Sequence, residues 1–469
     1  MIKAKSFIKT SLIYFVGNIS SKIISFFMLP LYTAYISAGD MGYFDSAMAV
    51  VTFFASVLFL DIGSAIMRYM FEGINIEDKN KSIYTGLTIF VSSLSLYIIL
   101  AVAVGFIFTF QFFFWIALYG FLLCLNTIYG YVARGWGANT IFAIAGLIST
   151  IINVVSNLIF ILIFKWGYQS LYISLCISIF INIIILEFRC KIFTRINYKY
   201  FDKELFIRML KFCLPLAINS VAFWLLTSAN KVIVSIVLNT EQNGYLAIAN
   251  RFTSIIYLVS TCFQLAWQEL AYSRENKKED NLTGVFYSKA FDLYTRIMLI
   301  GILLSIPVIK IIFPYFIDSS YNASASLIPL AMLGTIMTIL SSFLGSIFGG
   351  IKKTGIIFTS TLAGAIVNII VIFSLINVIG VMAANIALLA GFTVNVLFRT
   401  FVLKRYINLK VKYWYYLIFS IIFILEVYIY NEMDSIYNLL CSGIILCFSL
   451  MIFFKEIKEI LFQIKKKDI

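Results

Sequence analysis

The stretch ILAVAVGFIFTFQFFFWIALYGFLLCL, residues 99–125, is a long apolar run without one charged side chain. It leaves few options for the chain around it. A hydrocarbon core about 30 Å thick is crossed by roughly 20 apolar residues in a helix. Barrel strands alternate in polarity over segments of about ten residues instead, and no such alternation is present. Similar apolar runs recur through all 469 residues, and only 12% of the chain is charged. Soluble domains carry roughly 25% charge, so a water-soluble enzyme is excluded.

The formal charge of +14 is explained by its placement. Short cytoplasmic loops collect Lys and Arg, so no nucleic-acid partner is implied. The start, MIKAKSFIKTSLIYFVGNISSKIISFF, has no small-residue cleavage site and reads as a first span with basic residues kept inside. Histidine is absent and the seven cysteines are scattered. That removes His-ligated zinc, His-ligated haem and a His proton relay.

Polar breaks then give the span count. Apolar spans fall at about 10–34, 44–67, 83–107, 112–133, 140–164 and 168–188, and after a linker at about 212–238, 244–270, 288–316, 322–348, 356–376 and 379–403. A second basic loop, Arg399 through Lys412, precedes two last spans at about 413–430 and 436–454. Alternating the loops puts Lys3, Lys79, Arg134, Arg274, Lys352, Arg405 and the tail lysines on one side, and Lys165 with Asp40, Glu241, Asp318, Glu432 and Asp434 on the other. This segregation predicts an all-α polytopic membrane protein with 14 transmembrane helices and both termini in the cytoplasm. A twelve-span alternative, with the last pair lying on the membrane, is disfavoured because that pair is so apolar.

The longest polar run between Lys81 and Glu269 is Arg189 to Lys211. It sets seven basic residues (Arg189, Lys191, Arg195, Lys199, Lys203, Arg208, Lys211) against Asp202 and Glu204. It reads as a cytoplasmic basic linker, 189–211, carrying a short amphipathic helix. It separates an N-terminal six-helix lobe, 1–188, from a C-terminal six-helix lobe, 212–403. Residues 404–469 hold the second basic loop, helices 13 and 14 and a cytoplasmic tail.

The lobes resemble each other. Ser37-Ala-Gly-Asp-Met-Gly-Tyr43 parallels Asn239-Thr-Glu-Gln-Asn-Gly-Tyr245, each following the first span of its half. Gly135 precedes Asn153, and Gly350 precedes Asn368, by the same number of positions, through segments rich in small residues. Gly167 and Gly380 close the spans that follow. Chance in a biased composition is the competing explanation. An even span number per lobe makes the repeats parallel, as in transporters that rock two bundles about a central cavity.

Ionisable side chains inside spans are costly and are the best functional candidates. Lys22, Lys231 and Arg251 form an expected substrate-binding set, a cationic cavity for an anionic cargo; snorkelling, or pairing with Asp61 or Glu269, is the plainer alternative. Asp61 and Glu269 are the acids available for gating or ion coupling. Arg296 and Asp292 are spaced as a local pair. Arg68, Arg134 and Lys289 read as interfacial. Asn153, Asn157, Asn219, Asn230 and Asn368 stand where helices pack, as interhelical glue. No Walker A, dinucleotide fingerprint, HExxH or Gly-x-Ser-x-Gly motif occurs, so the chain reads as a transporter and not an enzyme.

With Lys22 followed by Pro30-Leu31-Tyr32, the Ser37 to Tyr43 turn, the Arg134-Gly135 loop, the Asn239 to Tyr245 turn before Arg251, and spans split six, six and two, the chain resembles the Wzx-type polysaccharide repeat-unit flippases of O-antigen and capsule synthesis. These share a superfamily with the multidrug and toxin extrusion (MATE) transporters and the lipid II flippase. The resemblance implies a MATE-like fold in a bacterial cytoplasmic (inner) membrane. It implies alternating access for undecaprenyl-pyrophosphate-linked oligosaccharide, a monomer working beside a polysaccharide polymerase and a chain-length regulator. No cofactor is implied, only coupling to Na+, H+ or membrane potential. In it Lys22 and Arg251 match the cavity cations and Asp40 a gating position. Lys22 stands where the lipid II branch commonly has arginine, which weighs against that branch, with tolerated variation the alternative. The alternatives are an H+- or Na+-coupled multidrug exporter, which needs Asp61 or Glu269, and a membrane glycan ligase or polymerase, disfavoured by the short outer loops.

Overall fold

Apolar helices dominate the computed structural model, which describes residues 23–73, 75–107, 110–195, 197–273, 280–351, 353–407, 409, 411 and 414–452. The helices are α1 (Leu29–Tyr35), α2 (Ala38–Leu58), α3 (Ile62–Glu72), α4 (Ile76–Ile107), α5 (Phe113–Gly135), α6 (Asn139–Leu158), α7 (Gln169–Cys190) and α8 (Lys203–Thr227). They continue as α9 (Ala229–Val237), α10 (Thr240–Ser273), α11 (Asp280–Phe316), α12 (Ile328–Gly350), α13 (Thr354–Ile379), α14 (Met382–Leu403), α15 (Trp414–Glu432) and α16 (Ser435–Ile452).

Ten helices among the described residues are long and apolar enough to cross a membrane. They carry the expected spans two to seven and nine to twelve. Expected spans eight, thirteen and fourteen coincide with α10, α15 and α16, which are not among the ten, and most of expected span one lies outside the described residues.

Packing divides the chain into two compact units. One comprises Met1–Ala247 with Phe358–Gly391, the other Ile248–Ile357 with Phe392–Ile469. The first has a core of Ile66, Met70, Tyr129, Leu186 and Met209, contributed by α3, α5, α7 and α8. The second is built on a ring stack: Trp267 on Phe343 and Phe263 on Tyr294, both with centroids 4.2 Å apart.

The equivalences seen in sequence recur as local geometry. Ser37 caps α2, its hydroxyl accepting from Asp40 N at 3.2 Å and donating to Asp40 Oδ2 at 2.8 Å. Asn239 caps α10 in the same way, accepting from Gln242 N at 2.8 Å. Gly135 and Gly350 are the last residues of α5 and α12. Gly167 and Gly380 both adopt left-handed backbone, φ 57° and 61°, where a side chain would be strained.

The basic run is arranged differently from the expected separate helix. After α7 ends, Glu187 accepts the amides of Ile192 and Phe193 at 2.9 and 3.1 Å and the Tyr129 hydroxyl at 2.9 Å. Two short helical turns follow. Asp202 then caps α8 by accepting from Leu205 N at 2.9 Å, so Lys203–Lys211 form its first turns. With a cap, Glu204 in the first turn and a long apolar continuation, one long helix is favoured over a short one.

Candidate functional site

The first turns of α2 and α10 cross at two glycines. A Cβ added to Gly42 would lie 1.7 Å from the Thr240 carbonyl oxygen and 2.5 Å from the Gly244 amide nitrogen. A Cβ added to Gly244 would lie 1.9 Å from the Ala38 carbonyl oxygen. The contact is reciprocal: Thr240 follows Ala38, and Gly244 follows Gly42, by one offset (240 − 38 = 244 − 42 = 202). Two turns aligned as repeats therefore pack on each other around a local two-fold. Asn243, fully buried, seals the crossing by donating Nδ2 to the Gly42 carbonyl at 2.7 Å.

Below the crossing, α2 is strapped to α9 and α8. Lys231 Nζ, on α9, meets Asp45 Oδ1, on α2, at 3.1 Å, with side chains 28% and 17% exposed. The second Asp45 oxygen, Oδ2, is buried without a hydrogen-bond partner among the described residues. A turn further along, Trp224 Nε1 donates to the Ala49 carbonyl at 2.8 Å and its ring lies 4.7 Å from that of Phe53.

The helical span that carries Lys231 is broken between Thr227 and Ala229, and the break exposes backbone that side chains must satisfy. Asn368 of α13 donates to the Leu226 carbonyl at 3.2 Å, and Asn230 donates to the Ala384 carbonyl of α14 at 2.9 Å. Both amides act as the interhelical glue their positions suggested.

The other expected residues are placed as follows. Asp40, in the first turn of α2 beside the crossing, accepts from the Ser37 hydroxyl. Asp61 sits where α2 gives way to α3, in left-handed backbone directly after left-handed Leu60, and accepts from Ser64 Oγ at 2.7 Å. Arg251, half-buried on α10, makes no ion pair among the described residues. Lys22 lies outside the described residues, and of Glu269 only the helix backbone is described. Lys231, expected as a cavity cation, is held by Asp45, an acid the sequence reading had not singled out.

Arg296 and Asp292 pair at 3.2 Å as their spacing implied. Arg68 pairs with Glu72 at 3.2 Å and lies over the Phe212 ring at 4.5 Å. Arg399 departs from expectation: it does not open the second basic loop but is buried within α14. Its guanidinium donates to the Ser341 carbonyl at 2.5 Å, the Ser341 hydroxyl at 3.0 Å and the Ile357 carbonyl at 3.3 Å. A cavity of about 410 Å³ lies between α2, α4, α5 and α9, walled by Val50, Phe54, Leu100, Phe113 and Ile236. It is apolar and none of the candidate charges lines it.

No family model matches this chain, and no curated protein does. Solved structures do. The lipid II flippase MurJ in an inward closed conformation superposes with a TM-score of 0.73 at 18% identity, over 95% of this chain and 100% of that one. The fold is a transporter fold. An inward-facing multidrug resistance MATE family transporter of the MOP superfamily aligns at TM-score 0.68 and 13% identity, over 82% of this chain and 94% of that one. An outward-facing conformation of such a transporter aligns at 0.57 and 16%, over 89% and 96%. The chain is thus a multi-pass membrane protein with the fold shared by MurJ and the MATE exporters.

Proposed function

We propose that this chain flips undecaprenyl-pyrophosphate-linked oligosaccharide repeat units from the cytoplasmic to the outer leaflet of a bacterial inner membrane, as a Wzx-type translocase for surface polysaccharide. The full-length likeness to a flippase whose cargo is lipid-linked is the observation that carries the reading. On the fourteen-span reading with both termini inside, the Gly42–Gly244 crossing lies on the outer face. It is then the outer gate, closed, with Asp40 and Asn243 holding its two helix ends.

In the mechanism, a pyrophosphate headgroup enters from the inside and is met by Lys22 and Arg251, while the polyprenyl tail stays in lipid. Arg suits this task because its planar fork matches phosphate oxygens. Lys231 joins when the headgroup displaces Asp45, whose carboxylate occupies the same cation. Neutralising these cations favours closure inside and separation of α2 from α10 outside. The emptied, cationic site is reset by the inside-negative potential, worth about 2.3 kcal/mol per charge per 100 mV. A polymerase and a chain-length regulator would take the product onward.

The test is translocation of a fluorescent lipid-linked oligosaccharide in proteoliposomes. Wild-type protein is expected to move it, and Arg251→Ala and Lys22→Ala to lose at least tenfold in rate. The likeness to MATE exporters favours one other reading, an H+- or Na+-coupled drug exporter. That reading predicts cation export dependent on Asp61 or Glu269 and insensitive to Arg251→Ala.

A further inference from the structure

The second unit carries an acid that the flipping mechanism does not use. α15 buries one stripe, Phe419, Phe423, Glu426 and Tyr430, and leaves Leu417, Ile424 and Tyr428 on its exposed face. Glu426 thus occupies a packing position on an apolar helix and is only 3% exposed. Neither carboxyl oxygen has a hydrogen-bond partner among the described residues. A carboxylate ion left so costs several kcal/mol, and an ionisable group at membrane depth is by default functional, with its partner to be named.

α15 and α16 both pack on α11, and the titratable groups these elements bring toward Glu426 or its neighbour Tyr430 can be named. From α16 comes the Cys441 thiol. On its own helix Tyr430, one turn on, spends its hydroxyl on the Ala325 carbonyl at 3.0 Å. From α11 comes Lys310, whose Nζ stands 5.1 Å from the Tyr430 ring centroid and makes no ion pair among the described residues. Asp292 and Arg296, also on α11, pair with each other at 3.2 Å. Lys310 is flanked by Pro307 and Pro314, both inside the helix. Each proline removes one helical hydrogen bond, so α11 bends most readily where Lys310 sits.

We propose that Glu426 is a proton-binding site with Lys310 as its alternative partner. In the packing described here the carboxyl holds a proton and the ammonium rests on the Tyr430 ring. When α11 bends, Lys310 moves one turn onto Glu426, and the O–H proton leaves to water along the path Lys310 opens. The carboxylate that remains is paired with the ammonium. Proton and lysine compete for one carboxyl, so the packing of α11, α15 and α16 responds to pH.

The test needs no cargo, so its failure and that of the flippase reading are separable. Infrared difference spectra of the full chain in nanodiscs are taken through a pH titration, following the C=O stretch of protonated carboxyls. Glu426→Gln is expected to remove one band. Lys310→Met, which removes the competitor, should move the loss of that band to higher pH, and Lys310→Arg should leave it near the wild-type position. If Glu426→Gln does not fold, Glu426→Asp should shift the frequency of the same band. Identical spectra with and without the Glu426 carboxyl, or a band indifferent to Lys310→Met, would overturn the proposal.

Discussion

Replacing Gly42 by alanine inverts the usual expectation for a helix. At an open helical site, glycine to alanine gains about 0.5–1 kcal/mol because the backbone loses less freedom. At Gly42 the new methyl would sit 1.7 Å from the Thr240 carbonyl oxygen, against a floor of 3.0 Å for real Cβ contacts, so the two helix ends must part by about 1.3 Å (3.0 − 1.7). Both obstacles are backbone, so no rotamer change relieves the clash. Overpacking of this kind costs about 1–3 kcal/mol, and parting the helices also stretches the 2.7 Å bond from Asn243 to the Gly42 carbonyl. Charged against the closed crossing alone, that energy shifts its population roughly 5–150-fold.

Met41, 1% exposed, provides the reporter as Met41→Cys, labelled from outside by an impermeant maleimide in a background with Cys441 and Cys447 replaced by Ser. Labelling is expected to quicken at least about fivefold with Gly42→Ala. Gly39→Ala is the control, because its methyl would meet Thr240 Oγ1 at an ordinary 3.7 Å. If Gly42→Ala and Gly39→Ala label alike, the close crossing is refuted.

Three further outcomes follow from named contacts. Lys231→Ala alone strands the Asp45 carboxylate and should lower stability by up to about 3 kcal/mol; adding Asp45→Ala should restore the melting temperature but not transport, and restored transport would make the pair purely structural. Gly345→Ala places a methyl 2.8 Å from Nη1 of the Arg399 guanidinium, a group that three hydrogen bonds already fix, so it should destabilise by about 1–3 kcal/mol in denaturant melts. The Asp318 carboxyl, which accepts the Ser320 amide and hydroxyl at 2.9 and 2.8 Å, is held below the usual carboxylate range by those bonds. Its contribution to the turn is therefore full above about pH 4 and is lost as pH falls through the lowered value. Amide exchange at Ser320 should accelerate on acidification in wild type and lose that dependence in Asp318→Ala.

What the sequence reveals here is local or periodic. Apolar run lengths place the helices, Ser37 and Asn239 announce caps through their side chains, and Asp292 with Arg296 pair because one helical turn joins them. What it hides depends on distant packing. Nothing near Lys231 in sequence points to Asp45, 186 positions away. Arg399 reads as the first residue of a basic loop because its burial comes from carbonyls on α12 and α13. Asn243 looks like a turn residue until the crossing makes its amide a seal. Glu426 carried a usable signal, an acid inside YYLIFSIIFILEVYIY, yet attention to the acidic turn at Glu432 and Asp434 passes over it.

The most direct measurement is flipping by a chain with Gly39→Cys and Thr240→Cys, in a background with Cys441 and Cys447 replaced by Ser. These positions already touch across the crossing, so oxidation can tie α2 to α10. Translocation of lipid-linked oligosaccharide should stop on oxidation and return on reduction. Undiminished translocation by the oxidised, fully cross-linked protein would contradict the account, because the outer ends would then never need to part.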